Sequence, residues 1–172
     1  LHCGNDLCSS GNSITLLSNK GIAGGTIDIA TASNGFPLVL YSKGDFSAST
    51  YDLTLIRCQN VQCTNSNEFI LKPSLPISVL FASSLIIGND DLPFIVYRKA
   101  DQTLHSYSEL WTIHCSAYNC SSGINEQFID VVTHHLDQST TLDDRPSHAV
   151  TAQDYPLISY YEADNGDLKL VY

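Results

Sequence analysis

Methionine is absent from the 172-residue sequence, even at its first position, so we expect a processed chain or a piece of a longer one. Basic residues are also scarce, because 8 Lys and Arg stand against 18 Asp and Glu and give a formal net charge of -10. Long-range electrostatics of this sign oppose the binding of nucleic acids and of anionic lipid surfaces. The composition therefore argues against a nucleic-acid-binding protein.

Long apolar segments are missing as well. No run approaches the roughly 20 apolar residues that a membrane-spanning helix needs, and residues 1–30 lack the basic and apolar blocks of a signal peptide. No stretch combines a 3.6-residue apolar period with capping residues, as an amphipathic helix does. Segments 26–31 and 52–56 instead alternate apolar and polar residues, and 38–40 and 94–96 are continuously apolar. These patterns predict an all-β protein without membrane insertion.

A threefold repeat organises the residues that are present. Cysteine pairs with four residues between them begin at positions 3, 58 and 115, so that they recur after 55 and then 57 residues. A second landmark, in which proline follows an apolar or aromatic residue and a tyrosine ends the motif, keeps step at residues 36–41, 92–97 and 155–160. Two independent landmarks with one period indicate a repeat architecture.

All cysteines belong to these pairs, which are Cys3 with Cys8, Cys58 with Cys63, and Cys115 with Cys120. Close pairs with none left over predict three disulfides, and disulfides persist outside the cytosol, so we expect an extracellular protein that is secreted or at the cell surface. Zinc binding is the alternative, since His2 and His114 precede two of the pairs. Zinc sites usually gather four ligands from close pairs, however, so we predict no metal and no cofactor.

Superposing the repeats predicts antiparallel four-stranded units of about 56 residues, with the cysteine pair between the third and fourth strands. Two complete units cover about 26–72 and 84–132. A third unit, at 147–172, supplies three strands only. Its missing fourth strand is represented by residues 13–17, which follow the first cysteine pair. We therefore expect one repeat domain over 1–172, in which residues 1–17 complete the third unit.

Residues 155–161 and 164–171, taken with the cysteine pairs, resemble the repeats of secreted sialidase-like β-propeller proteins. The turn 164–166 resembles a degenerate Asp-box, the turn between the third and fourth strands of sialidase blades. The resemblance is close in the third repeat alone, because the turns of the other repeats, at 42–50 and 99–103, differ and the full Asp-box is absent. The resemblance implies propeller blades, in which a strand from one end often completes the blade at the other.

Closed propellers typically have four to eight blades, so three units are too few to close a ring. The split unit can then be completed between chains, where residues 1–17 of one chain add a strand beside the one that ends at Tyr172 of the next. Head-to-tail contacts of this kind build rings or filaments. We thus predict a non-enzymatic structural protein that associates with itself. The alternative is a carbohydrate-binding module, or a fragment of a larger sialidase-like propeller, with glycans as partners.

Candidate catalytic and metal-binding groups are weak. A sialidase-like site needs three convergent arginines, whereas Arg57, Arg98 and Arg145 occupy different positions in their repeats and are expected to be solvated salt-bridge partners. The densest group of potential metal ligands lies in a polar connection that we interpret as a solvated loop, and it comprises His134, His135, Asp137, Asp143 and Asp144. Around the turn at 164–167, calcium coordination is the alternative to a plain turn with Gly166 at positive φ.

Aromatic residues recur at the end of the second strand of each unit, as Tyr41, Tyr97, Tyr160 and Tyr161, and Trp111 lies in a third strand. Such side chains either stack on sugars or pack against a sheet, and we expect packing. Asn119 begins the one N-x-[ST] pattern of the chain, with Cys120 in its middle, and is the predicted glycosylation site.

Overall fold

The computed structural model describes residues 3, 5–17, 22–45, 50–76, 82–100, 107–133, 145–162 and 165–172. These ranges contain no helix, and hence none long and apolar enough to cross a membrane, but they hold 11 strands in three antiparallel sheets of 4, 4 and 3 strands. The all-β prediction is confirmed. The described strands close into neither a barrel nor a ring.

Each sheet is a simple meander, because consecutive strands are hydrogen-bonded neighbours. The first sheet holds β1 (Ile22–Thr31), β2 (Pro37–Asp45), β3 (Thr50–Cys58) and β4 (Ser66–Pro76). The second holds β5 (Ser83–Ile87), β6 (Pro93–Ala100), β7 (Tyr107–Cys115) and β8 (Ile124–Thr133). The third holds β9 (Ser147–Val150), β10 (Pro156–Glu162) and β11 (Asp167–Val171). The sheets span 22–76, 83–133 and 147–171, where the repeat predicted units at about 26–72, 84–132 and 147–172.

The ends of the strands follow from local sequence. The three second strands begin at Pro37, Pro93 and Pro156, a position that tolerates the missing N–H of proline. The predicted turns at 42–50 and 99–103 begin too early, because the strands β2 and β6 continue to Asp45 and Ala100. Polar residues extend β2 because their side chains pair across the sheet, as in the 2.6 Å ion pair between Lys43 and Glu68. Gly166 has a φ of 69°, as the turn reading predicted.

The second sheet lies between the other two. The first strands line up, since β1 contacts β5 and β5 contacts β9. The fourth strand of each complete sheet contacts the second strand of the following one, β4 against β6 and β8 against β10. We call the face of a sheet that looks toward the next sheet in chain order its front face, and the opposite face its rear face.

The apolar core fills the two junctions between sheets. At the first junction the front-face residues Leu40, Leu53 and Leu55 pack with Ile95 and Tyr97 on the rear face of the second sheet. At the second junction, the front-face residues of the second sheet pack with the rear face of the third, and this cluster comprises Val96, Leu110, Val132, Ile158 and Tyr160. Strand alternation thus gives each complete sheet two apolar faces.

Residues 13–17, which we predict to pair with β11 of another chain, are not paired with β11 in the single chain. They lie against the first sheet, where Thr15 Oγ1 donates to the carbonyl of Gln62 at 2.9 Å and Leu17 packs on the rear face. A strand needs a neighbour for its backbone groups, and β11 belongs to the third sheet, beyond the second. Among the described strands, β11 pairs with β10 alone.

Candidate functional site

The junctions between sheets are the most regular feature of the molecule. At each junction the turns that link the first and second strands have the same backbone structure. We call inner turns the links between the first and second strands of each sheet, at residues 32–36, 88–92 and 151–155. In each one the fourth residue donates its N–H to the carbonyl of the first, at 2.9, 3.0 and 3.0 Å. The fourth residue has a positive φ in all three, namely 77° at Gly35, 61° at Asp91 and 65° at Asp154.

The side chain at the fourth position of an inner turn links neighbouring sheets. Asp91 accepts hydrogen bonds from Ser33 N at 2.8 Å and Ser33 Oγ at 2.7 Å, although Ser33 belongs to the preceding sheet. Asp154 repeats the contact one sheet later by accepting from Asn89 N at 2.8 Å. The two hydrogen bonds from Ser33 lower the pKa of the Asp91 carboxyl below its usual range. Both junctions are therefore fastened by a carboxylate of the later sheet.

A second set of polar contacts joins the outer strands. At the first junction Lys72 Nζ of β4 lies 2.7 Å from Glu126, which also accepts a hydrogen bond from the hydroxyl of Tyr97. Burial by itself raises the pKa of Glu126, but the hydrogen bonds from Lys72 and Tyr97 outweigh it and hold the pKa below its usual range. The charged pair thus favours the docked arrangement of β4 above strongly acidic pH.

The second junction has an equivalent contact with different residues. Asp130 of β8 accepts from the hydroxyl of Tyr160 and lies 3.4 Å from Lys169 Nζ, so it bridges two strands of the third sheet. Burial and the hydrogen bond to Asp130 raise the pKa of Tyr160 to about 12. Tyr160 therefore stays a neutral donor across the physiological range.

The front face of the third sheet carries apolar side chains that nothing in the described chain covers. Each of the three repeats has a tyrosine near the end of its second strand, and Leu168 pairs with the residue that follows this tyrosine in the third sheet. Leu53 and Leu110 pair with the equivalent residues of the first and second sheets, so the three leucines correspond. Leu53 and Leu110 are 1% and 0% exposed, whereas Leu168 is 79% exposed. Leu170, on the same face, is 61% exposed. The difference arises because a further sheet covers the first two positions and not the third.

The rear face of the first sheet is exposed along β1, whereas its β2 residues Val39 and Tyr41 are buried. Ile27 and Ile29 of β1 pair with Tyr41 and Val39 and are each 62% exposed. Their counterparts in β5 include Leu85, which the first sheet covers to 3% exposure. The array therefore leaves apolar side chains uncovered on each side, along β11 on the front face of the third sheet and along β1 on the rear face of the first.

The three disulfides form in the structure, with Cα–Cα distances of 4.6, 4.8 and 4.8 Å. Their loops share one backbone course, because Cys8, Cys63 and Cys120 all have positive φ and donate their N–H to a residue three positions earlier. The first loop even repeats side-chain contacts of the second, since Asn5 and Asn60 each accept from the backbone N–H four residues later, at 3.0 Å. The N-terminal loop is thus built like the loops that join a third strand to a fourth.

Leu17 extends this equivalence to the segment after the first loop. It packs on the rear face of the first sheet with Val39 and Tyr41 of β2. Leu71 of β4 packs in the same way with residues of β6, and Val132 of β8 packs with residues of β10. Leu17 therefore joins an apolar cluster on a rear face, as Leu71 and Val132 of the fourth strands do at the two junctions.

The predicted packing role of the recurring tyrosines is confirmed, because Tyr41, Tyr97 and Tyr160 are buried at 6%, 1% and 4% exposure. Their burial removes them as a stacking surface for sugars. Tyr161 is exposed on the front face of the third sheet. Trp111 is half-buried, with its ring edge-on to Phe128 and with Lys99 Nζ 5.6 Å from its centroid.

One expectation about the arginines is wrong. Arg57 is in the first sheet, with its guanidinium 4.5 Å above the ring of Tyr118, and Arg145 lies exposed just before β9. Arg98 was expected to be solvated, yet it is 3% exposed and donates through Nε to Ser108 Oγ at 2.9 Å. It is buried because it alternates with Tyr97 and so points from the front face of the second sheet toward the third.

Asn119, the predicted glycosylation site, lies partly exposed in the third cysteine loop. Its Oδ1 accepts from Ser121 N at 3.2 Å and from Ser121 Oγ at 2.7 Å. The group of histidines and aspartates at 134–144 falls outside the described residues, as does Asp164. Within the described residues, no three His, Cys, Asp or Glu side chains are gathered to hold a metal ion.

Comparison with known proteins adds no assignment, because no protein-family model matches the chain and no curated protein matches it either.

Sequence reasoning missed the inner-turn carboxylates and the charged contacts of the outer strands. A signal for the first was present, since Asp91 and Asp154 directly precede the repeated motifs at 92–97 and 155–160. Glu126 and Asp130 gave no such signal, because their partners lie in strands distant in sequence. Only the packing of one sheet on the next brings those groups together.

Proposed function

We propose that this chain is a non-enzymatic extracellular structural protein, made of propeller-blade-like repeats, whose copies associate head-to-tail by strand complementation into filaments. Three disulfides in a small all-β domain are typical of extracellular proteins, which supports the location. The side-by-side packing of meander sheets with their first strands aligned is consistent with blades.

The observation that carries the proposal is the position of residues 13–17. This segment packs on the rear face of the first sheet in the manner of a fourth strand, and it follows a cysteine loop of the kind that precedes fourth strands. The third sheet has the third strand that such a loop would continue, but β11 has no neighbour on its outer side among the described strands. The N-terminal segment thus offers a fourth strand, and the third sheet of another copy needs one.

Docking of two copies would satisfy both ends at once. The front face of the third sheet, with Leu168 and Leu170, would cover Ile27 and Ile29 on the rear face of the first sheet of the next copy. The same movement would bring β11 alongside residues 13–17. The backbone N–H and C=O groups of β11 would then find partners, as in other cases of strand addition. An uncovered edge strand is otherwise prone to unspecific pairing.

Deletion of residues 1–17 tests the proposal by electron microscopy of the purified protein. The full chain is expected to form filaments, whereas the truncated chain is expected to stay dispersed, since it lacks the complementing strand. Circular dichroism of the truncated chain checks that the sheets are retained. Filaments of unchanged length and number after the deletion would refute strand complementation.

A peptide competitor provides a test without any mutation. A synthetic peptide of residues 1–17 with its disulfide formed is expected to cap β11 and shorten the filaments of the full chain. The matched control peptide carries Thr15→Pro, which removes a backbone N–H that pairing with β11 would use. Equal effects of both peptides would show that strand pairing is not what the peptide supplies.

A further inference from the structure

The inner turn of the first sheet lacks the group that fastens the other two junctions. Its fourth position is Gly35, whereas the corresponding residues Asp91 and Asp154 bind the turn of the preceding sheet through their carboxylates. At the other end of the array, Ala152 takes the turn position held by Ser33 and Asn89 in the earlier sheets. Ala152 is exposed and belongs to the sheet that the next copy would cover.

Combining these positions, we propose that Ala152 and the front face of the third sheet form the docking surface for the first sheet of a second copy, and that Gly35 keeps this junction weaker than those within the chain. The inference rests on the proposed head-to-tail association. In the docked arrangement Gly35 of one copy faces the N–H of Ala152 in the other. This contact between copies would have the N–H donor of Ala152 but no carboxylate to accept from it, unlike the two junctions within the chain.

The local structure shows that a carboxylate is admissible at this position. Gly35 has a φ of 77°, close to the 61° and 65° that Asp91 and Asp154 already adopt in equivalent turns. A Cβ atom at Gly35 would meet no other atom within 4 Å. Aspartate tolerates this backbone region better than most residues do. Glycine at 35 is therefore not imposed by steric crowding, and it weakens the junction between copies without changing the turn.

The consequence is an assembly that is reversible at its chain junctions while the sheets within each chain remain fastened. The partner that this surface fits is another sheet of the same construction. A carboxylate at the fourth position of the inner turn of the first sheet would strengthen the contact between copies, whereas Gly35 has no side chain to accept a hydrogen bond. The surface therefore binds a second copy of this chain less tightly than it could if residue 35 carried a carboxylate.

The test compares the self-association of the wild-type chain with that of Gly35→Asp by sedimentation over a range of concentrations at neutral pH. One hydrogen bond to a charged group predicts about 10- to 150-fold tighter association of the variant. Gly35→Ala is the matched control, since it adds a Cβ without an acceptor and is expected to give no gain. The gain of Gly35→Asp should vanish on acidification, when the new carboxyl is protonated.

A double variant identifies the donor. Proline is favoured at the second position of such a turn, so Ala152→Pro removes the N–H while fitting the backbone. In the Gly35→Asp background it is expected to return association to the wild-type level. Wild-type association with no gain in Gly35→Asp would overturn this inference and leave head-to-tail assembly standing. A chain that stays monomeric in both forms would overturn both, and a gain that persists with Ala152→Pro would show that the carboxylate acts elsewhere.

Discussion

Leu168 offers the sharpest measure of the interface between copies. It is 79% exposed in the single chain, while its counterparts Leu53 and Leu110 are 1% and 0% exposed under the next sheet. Complete burial of a leucine side chain is worth roughly 1.5–3 kcal/mol, so docking of a second copy should gain about 1–2 kcal/mol from this residue. Leu168→Ala is therefore expected to weaken association by about 5- to 30-fold.

The same change should hardly affect the folding of the isolated chain, because a side chain that is already exposed contributes less than about 0.5 kcal/mol to stability. The assay is sedimentation across a concentration series, with thermal unfolding of dilute protein as the check on folding. Val131→Ala is the matched control, since Val131 is an exposed strand residue of the middle sheet, which takes no part in the proposed contact between copies. Leu168→Ala with unchanged association, or with the same effect as Val131→Ala, would refute the assigned docking face.

Two further predictions concern stability. Leu55 is 0% exposed in the first junction, so Leu55→Ala is expected to lower the free energy of unfolding by about 2–5 kcal/mol in denaturant titrations. A loss below 1 kcal/mol would contradict a packed junction at this position. Burial lowers the pKa of His148 below 6.5, so as the pH falls the unfolded chain binds a proton at this residue before the folded chain does. The neutral imidazole therefore contributes its full stabilisation above pH 6.5, and the free energy of unfolding decreases as the pH drops below that value. His148→Gln is expected to flatten the melting temperature between pH 7 and 5, and an unchanged pH dependence would count against a neutral buried imidazole.

The repeat made much of the fold predictable. Cysteine spacing and the proline motif located three units, and strand alternation gave their class, because both are local properties of the chain. The disulfide pairs followed from the same spacing. Strand ends were less accurate, since β2 and β6 continue through Lys43 and Lys99, which form ion pairs with Glu68 and Glu109 of other strands in the same sheets. The strand predicted at 13–17 stays a prediction, because its expected neighbour is β11 of another chain and strand pairing requires that neighbour.

The candidate interface between copies likewise has features that the sequence predicts and features that only the tertiary structure shows. The sequence by itself determined the period of the repeat, and from the broken period we predicted that a fourth strand is missing at one end and that a matching segment stands at the other. Only the tertiary structure decided that Leu17 packs like a fourth strand, that Leu168 and Ile27 are uncovered, and that Asp91 and Asp154 reach the preceding turn. Burial and hydrogen bonding between sheets depend on distances across the fold, and residues 57 or more positions apart acquire those distances only when the sheets pack.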